Sequence, residues 1–258
     1  MKIAICFSGM IRAGLSAVPN IKNFIGDLYK DTDFFMHTWD HSEPKPWHNE
    51  SLKSRQYGKQ NVIVTNTYEI IDSFVKEYDS KFISVKIDNF NAWRPAFSDY
   101  KDFSPHWYSW EESIRLKKEQ EQKAGITYDY VLKIRPDLLF HPEASLTDEI
   151  QHSSQDSNRF YAMGYTDYRV DDVFFLARSD IMDKVSKFQS SINEFNWKTN
   201  IVGDYIRSLG ISCDRLRNNT YAIFREEALG TDSLDFARCF NIDKDYYSPA
   251  NSYRMPTK

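Results

Sequence analysis

Residues Tyr128–Phe140, YDYVLKIRPDLLF, decide the fold. Val131, Leu132 and Ile134 are apolar and mostly β-branched, which predicts a strand covered on both faces. Arg135-Pro136-Asp137 then stops it, because proline has no N–H to give to a ladder. The strand therefore delivers a guanidinium and a carboxylate to its C-terminal end. In open α/β sheets that is where ligands bind.

Upstream, strands alternate with helices. Lys2–Phe7 predicts a first strand, and Ser8-Gly9 opens the loop SGMIRAG, with two glycines and Arg12. Neither GxxxxGK[ST] nor GxGxxG is present, yet a glycine turn with an arginine is a reasonable cradle for phosphates. Val18, Ile21, Phe24, Ile25 and Leu28 recur at helical spacing, predicting a helix over 17–29. Thr32–Asp40 predicts a second strand ending in His37, Trp39 and Asp40. Residues 41–60 form a long polar loop, the kind that usually serves function. Asn61–Thr65 predicts a strand, Tyr68–Tyr78 a helix and Phe82–Ile87 another strand. This order is that of a parallel sheet with crossover helices.

Ser104 and Pro105 signal a helix start. The helix carries Trp107, Trp110, Ile114 and Leu116, continues into KKEQEQK, which reads as a solvated charge run, and ends at Gly125. Those tryptophans and Tyr108 either pack the core or line a cleft. Beyond Pro142 come a short helix and strands at Phe160–Met163 and Val170–Ala177. Ser179 caps a helix to Phe188, and a helix over 200–209 closes at Gly210. Thr220–Arg225 is a last strand, and the tail from Asp232, with few periodic signals, is expected either to wrap the surface or to stay partly loose. The expectation is an α/β protein, Rossmann-like, with a mixed, mainly parallel sheet flanked by helices. It forms a single domain over 1–258, with a nucleotide-binding half at about 1–140, an acceptor-side half at about 141–230 and a tail from 231.

Composition narrows the function. With 33 Lys and Arg against 37 Asp and Glu the formal charge is -4, which argues against a basic nucleic-acid-binding face. Aromatic residues make up 16%, enough for both a core and sugar-stacking surfaces. Cys6, Cys213 and Cys239 show no zinc or CxxC spacing and read as free thiols of a reducing, cytoplasmic compartment. No apolar run suits a signal peptide or a membrane span.

Three loops follow strands and should converge at one rim: Ser8–Arg12, His37–Asp40 and Arg135–Asp137. Asp171-Asp172 joins them if its strand runs antiparallel. Carboxylates, arginines and aromatic rings together suit a charged ligand with a polar organic part, and a nucleotide sugar fits. His37 is a candidate for a phosphate, a sugar hydroxyl or a metal. His141, Asp204 and Arg225 are weaker candidates, each with a structural role as the alternative.

Three motifs occur in order: FSGxxR at Phe7–Arg12, HxWD at His37–Asp40 and YDYVxxxRPDL at Tyr128–Leu138, followed by D-x-F at Asp172–Phe174. Over about residues 2–225 the chain thereby resembles nucleotide-sugar glycosyltransferases of the GT-A fold, in particular small bacterial and large-virus proteins that carry RPD where DxD is usual. The resemblance implies that Ser8, Gly9 and Arg12 line a nucleotide pocket for a UDP- or GDP-sugar. It implies that Arg135 and Asp137 face the diphosphate, where Asp137 would hold Mn²⁺ or Mg²⁺. Since Arg135 replaces the first aspartate of DxD, its own charge could serve instead. Asp172, with Asp171 second, would be the base that activates a hydroxyl of a glycan or glycolipid acceptor, inversion being favoured. The alternatives are a nucleotidyltransferase, or a carbohydrate-binding protein without catalysis.

Overall fold

Alternation along the strands sorts the core into two layers. The computed structural model describes residues 1–11, 14–40, 67–90, 92–93, 104–162, 165–166, 169–170, 173–191, 201–215 and 221–223. Strand β1 (Ile3–Ser8) is wholly buried. Its Ile3, Ile5 and Phe7 enter one apolar cluster, whereas Ala4 and Cys6 enter another. A period of two does this whenever both faces are covered. Strand β2 (Thr32–Trp39) divides the same way, with Phe34 and Met36 on one side and Phe35 on the other.

Helix α1 (Gly14–Ile25) covers the first face and runs into a 3-10 turn (Gly26–Asp31), so the predicted helix over 17–29 is two pieces. Helix α2 (Tyr68–Lys76), capped by the Thr67 hydroxyl, joins it there through Ile71 and Phe74. Strand β3 is Phe82–Asp88. The long helix α3 (Ser104–Ala124) covers the opposite face with Trp107, Trp110, Ile114 and Leu116. Gly125 ends it at φ 63°, a left-handed conformation that glycine adopts without steric cost.

The deciding stretch is two strands: β4 (Tyr130–Ile134), a turn through Pro136, and β5 (Leu138–Phe140). Helix α4 (Leu146–Ser153) and β6 (Arg159–Ala162) follow. Short strands β7 (Tyr165–Thr166) and β8 (Arg169–Val170) pair with each other. Strand β9 (Phe174–Arg178) leads into α5 (Ser179–Val185) and a 3-10 turn, Ser186–Phe188. Helix α6 (Ile201–Ser208), β10 (Ser212–Arg215) and β11 (Tyr221–Ile223) complete the described chain.

The main sheet has seven strands in the order β10-β6-β9-β4-β1-β2-β3. Strand β9 runs antiparallel to both its neighbours, β4 and β6, while every other pair in this sheet is parallel. The fold is thus α/β with a mixed, mainly parallel sheet flanked by helices, as expected. Strand β4 lies at its centre, and the order reverses between β1 and β4. Strand β5 leaves the main sheet to pair with β11. It is held to α1 by Asn20, whose amide donates to the Phe140 carbonyl at 2.9 Å and accepts its N–H at 2.7 Å.

Two local expectations need correction. Ser179 does not cap its helix: the cap position is Arg178, with no side-chain cap bond. The Ser179 hydroxyl instead donates to Glu121 at 2.9 Å and accepts from Lys117 at 2.6 Å. Nor is all of KKEQEQK solvated, because Lys117 is wholly buried. Its ammonium meets Glu121 at 2.8 Å and Asp183 at 2.7 Å between α3 and α5. The predicted strand at Asn61–Thr65, the loop over 41–60, Cys239, Arg225 and the tail lie outside the described residues. Cys6 and Cys213 are free thiols.

Candidate ligand site at the carboxyl rim of the sheet

The ends of β1 and β4 lie side by side where the strand order reverses. Phe7 pairs with Ile134 in parallel register, so Ser8 and Arg135 are the next residues out on neighbouring strands. On its other side Ser8 pairs with His37. Strand β9 returns to the same rim, since its first residue, Phe174, pairs with Ile134. This meets the condition on which Asp171 and Asp172 were expected to approach the site. Those two residues and Arg12 lie outside the described residues.

At β4, Arg135 and Asp137 form a two-pronged ion pair across Pro136. Nε donates to Oδ1 at 2.8 Å and Nη2 to Oδ2 at 2.7 Å. The carboxylate is fully buried, whereas the arginine keeps 16% of its side-chain surface. The turn is wedged against the start of α1. A Cβ on Gly14 would lie 3.1 Å from the Pro136 carbonyl oxygen and 2.9 Å from Ile11 Cγ2. The second glycine of SGMIRAG is therefore there for close approach.

The first glycine, Gly9, has φ 104° and is held from two sides. Its N–H lies 3.2 Å from the His37 carbonyl and 2.7 Å from Ser109 Oγ on α3. Ser109 Oγ lies 2.9 Å from His37 Nδ1, and His37 Nε2 lies 3.0 Å from Asp88 Oδ2 at the end of β3. Tyr108 donates to the same Asp88 oxygen at 2.7 Å, and Lys86 reaches it at 2.9 Å. Burial pushes the His37 pKa down, outweighing its bond to Asp88. Asp88 is held well below the usual carboxylate range, first by the His37 bond and then, against burial, by Lys86 and Tyr108. Burial and Asp88 raise the Tyr108 hydroxyl to about 12.

A neutral imidazole beside an ionised Asp88 carries its proton on Nε2. Nδ1 is then an acceptor, and the Ser109 hydroxyl, 2.9 Å from it and 3.1 Å from the His37 carbonyl, donates its proton between these two while its oxygen accepts the Gly9 N–H. His37 is wholly buried with both nitrogens bonded within the protein. His37 was expected to face a ligand; here its bonds run to Asp88 and to Ser109, and Ser109 holds the Gly9 N–H. Trp39 packs against Tyr108, Phe90 and Trp93, and Asp40 accepts the Phe90 N–H at 3.1 Å and the Asn89 amide at 2.8 Å. The HxWD motif thus locks β2 to β3 and α3.

Sequence reasoning missed Ser109 and Asp88. Ser109 sits between Trp107 and Trp110 on the buried side of α3. A small hydroxyl among the residues of an apolar stripe signals a polar partner across the interface. Asp88 gives no such local signal.

Ser8 Oγ is buried and has no hydrogen-bond partner among the described residues. An unpaired buried hydroxyl costs about 1–3 kcal/mol, so a ligand group that paired with it would recover that cost. The divalent ion implied by the resemblance does not fit the described residues at Asp137. Both its oxygens already accept from Arg135 and its side chain is sealed. Hard divalent ions require several oxygen ligands, and no group of three or more His, Cys, Asp or Glu suited to a metal occurs among the described residues.

No protein-family model matches the chain, and no curated protein matches it. Among solved structures it aligns with the nucleoside-diphosphate-sugar pyrophosphorylase from Vibrio cholerae RC9. That alignment has a TM-score of 0.40 and 10% identity, and covers 83% of this chain and 91% of that one. At this distance the alignment carries no weight on function. Among the described residues no helix is long and apolar enough to cross a membrane.

Proposed function

We propose that the rim at the β1/β4 reversal binds a nucleoside-diphosphate sugar, UDP- or GDP-linked, and that the protein transfers the sugar to a hydroxyl of a glycan or glycolipid. The observation that carries this reading is the juxtaposition of the Ser8-Gly9 turn with the Arg135–Asp137 pair at that reversal. In open α/β sheets the crevice outside such strand ends is the ligand site. The fixed Gly9 turn suits the nucleotide. Arg135 suits the diphosphate, whose negative charge grows as it departs.

In the reaction, the bond from the anomeric carbon to the β-phosphate oxygen breaks, and a bond to the acceptor oxygen forms. The acceptor proton passes to a carboxylate, for which Asp172 is the candidate and Asp171 its neighbour. The nucleoside diphosphate leaves with the electron pair of the broken bond.

Thermal unfolding with UDP-, GDP- and CMP-sugars tests the binding. The cognate donor at 100 times its Kd should stabilise the protein by about 2.7 kcal/mol. Absence of a shift with all three classes overturns the reading. Turnover should release a nucleoside diphosphate, whereas release of pyrophosphate would mean nucleotidyl transfer. Asp172→Asn should abolish turnover while the thermal shift by donor persists; near-normal turnover removes Asp172 as the base.

A further inference from the structure

We infer that Asp137 is a positioning residue rather than a metal ligand, and that Arg135, held in place by it, is the cation that receives the ligand's phosphates without a divalent ion. This rests on the reading that the rim binds a nucleoside-diphosphate sugar.

The geometry of the turn carries the inference. A metal-binding carboxylate must be reachable by the ion. Here Oδ1 and Oδ2 each accept an N–H of Arg135, at 2.8 and 2.7 Å, and the side chain has no exposed surface. The guanidinium is the outer member of the pair, with 16% of its surface exposed. Asp137 bonds the guanidinium along its Nε–Nη2 edge. An arginine fixed along one edge presents its plane in one orientation, as two-pronged recognition of phosphate requires.

The surroundings prevent the pair from turning to serve an ion. Pro136 fixes φ between the partners. Its carbonyl is packed against Gly14, where there is no room even for a methyl group. On the far side β5 is pinned by the Asn20–Phe140 bonds. Exposing Asp137 to an ion would mean breaking two charge-assisted bonds and moving a turn held from both ends. A buried ion pair is also weak evidence of stabilisation, because apolar residues of similar volume often do as well.

The test uses the full chain and needs no acceptor. UDP and GDP are titrated calorimetrically in EDTA and again in Mn²⁺, and free Mn²⁺ is followed by electron paramagnetic resonance with excess protein. The expected result is that one nucleoside diphosphate binds with the same Kd in both buffers. The aquo-Mn²⁺ signal should be undiminished by protein alone. Arg135→Gln should weaken binding in EDTA about tenfold or more, and Asp137→Asn by a comparable factor because the guanidinium loses its anchor. Binding that appears only with Mn²⁺ overturns the inference while leaving the ligand reading intact. So does a protein-bound Mn²⁺ signal that Asp137→Asn abolishes. If neither nucleotide binds in either buffer, the ligand reading fails and this inference with it. Should Asp137→Asn fail to fold, the wild-type arms still decide.

Discussion

The two faces of the sheet are built differently. Apart from Asn20, which pins β5, the α1 face is apolar and aromatic: Phe7 packs edge-on against Phe74 at 5.2 Å, and Phe24 stacks on Phe140 at 3.8 Å. On the α3 face apolar packing is interleaved with buried polar groups, among them Ser109, Ser113, Lys117 and Ser179, and with Lys133, whose ammonium lies 4.9 Å from the Phe175 ring centre. Polar groups buried in this way must be paired, which fixes geometry more tightly than apolar contact does. The face that carries pairs also anchors Gly9 at the rim. One face supplies non-directional stability; the other converts stability into position.

Substitutions that conserve volume should separate the faces most clearly. Phe74→Ala should cost about 3–5 kcal/mol, and Phe74→Leu should recover most of that, since only shape is at stake. Lys117→Met conserves volume too, yet it leaves Glu121 and Asp183 facing an apolar group and should cost about 3 kcal/mol. Urea unfolding measures both. A small cost for Lys117→Met would mean that the α3 face tolerates apolar packing as well as its opposite does.

Next in size is the link to the rim. Ser109→Ala leaves His37 Nδ1 without its partner and the Gly9 N–H with only the longer bond to the His37 carbonyl. It should cost about 1–3 kcal/mol. It should also weaken binding of the nucleoside diphosphate more than Ser113→Ala does, because Ser113 donates only to the Trp110 carbonyl within its own helix. Equal effects of the two serine changes on affinity would show that the relay does not reach the site.

A pH dependence follows from the same relay. His37 is buried, and the ionisable groups that meet it or its partner Asp88 are Asp88, Lys86, Tyr108 and Glu112. Its folded pKa lies below the unfolded value of about 6.5. As pH falls through that unfolded value, the unfolded chain takes up a proton that the folded chain refuses. Stability contributed by neutral His37 is therefore full above pH 6.5 and declines below it, with a slope of at most about 1.4 kcal/mol per pH unit. His37→Gln should flatten the stability profile between pH 7 and 5 relative to wild type. An unchanged slope would mean that folding does not depress the His37 pKa.

Much of the fold was legible because it is written in local pattern. The period-two alternation in β1 and β2 and the stop at Pro136 each follow from neighbouring residues. The strand pair hidden in one run was not legible: LLF continues the apolar character of YVLKI, and only the partner of β5, eighty residues on, shows that it belongs to another sheet. Strand β10 was missed because SCDR, an edge strand, lacks an apolar alternation. Lys117 was misjudged by composition alone, although it lies three residues after Ile114 and so on the buried stripe of α3. In the site, the Arg135–Asp137 juxtaposition was visible as adjacency, but not that the two would bind each other. The Ser109–His37–Asp88 chain joins three elements distant in sequence, and no local pattern encodes such a contact.

The smallest expected effect is also the one of opposite sign. Tyr78 follows α2 and sits in the aromatic cluster of the α1 face, 5.5 Å from Phe7, 4.7 Å from Phe34 and 5.2 Å from Phe74 between ring centres. Its hydroxyl is buried and has no hydrogen-bond partner among the described residues. Burial accordingly drives its pKa far up. On the α3 face the buried Ser109 and Ser179 hydroxyls do have partners. On the apolar face it contributes only the cost of desolvation, while its ring does the packing. Tyr78→Phe keeps the ring and removes that cost, so it should leave stability unchanged or raise it by up to about 1 kcal/mol. A loss of 1 kcal/mol or more in urea unfolding would mean that the hydroxyl has a partner.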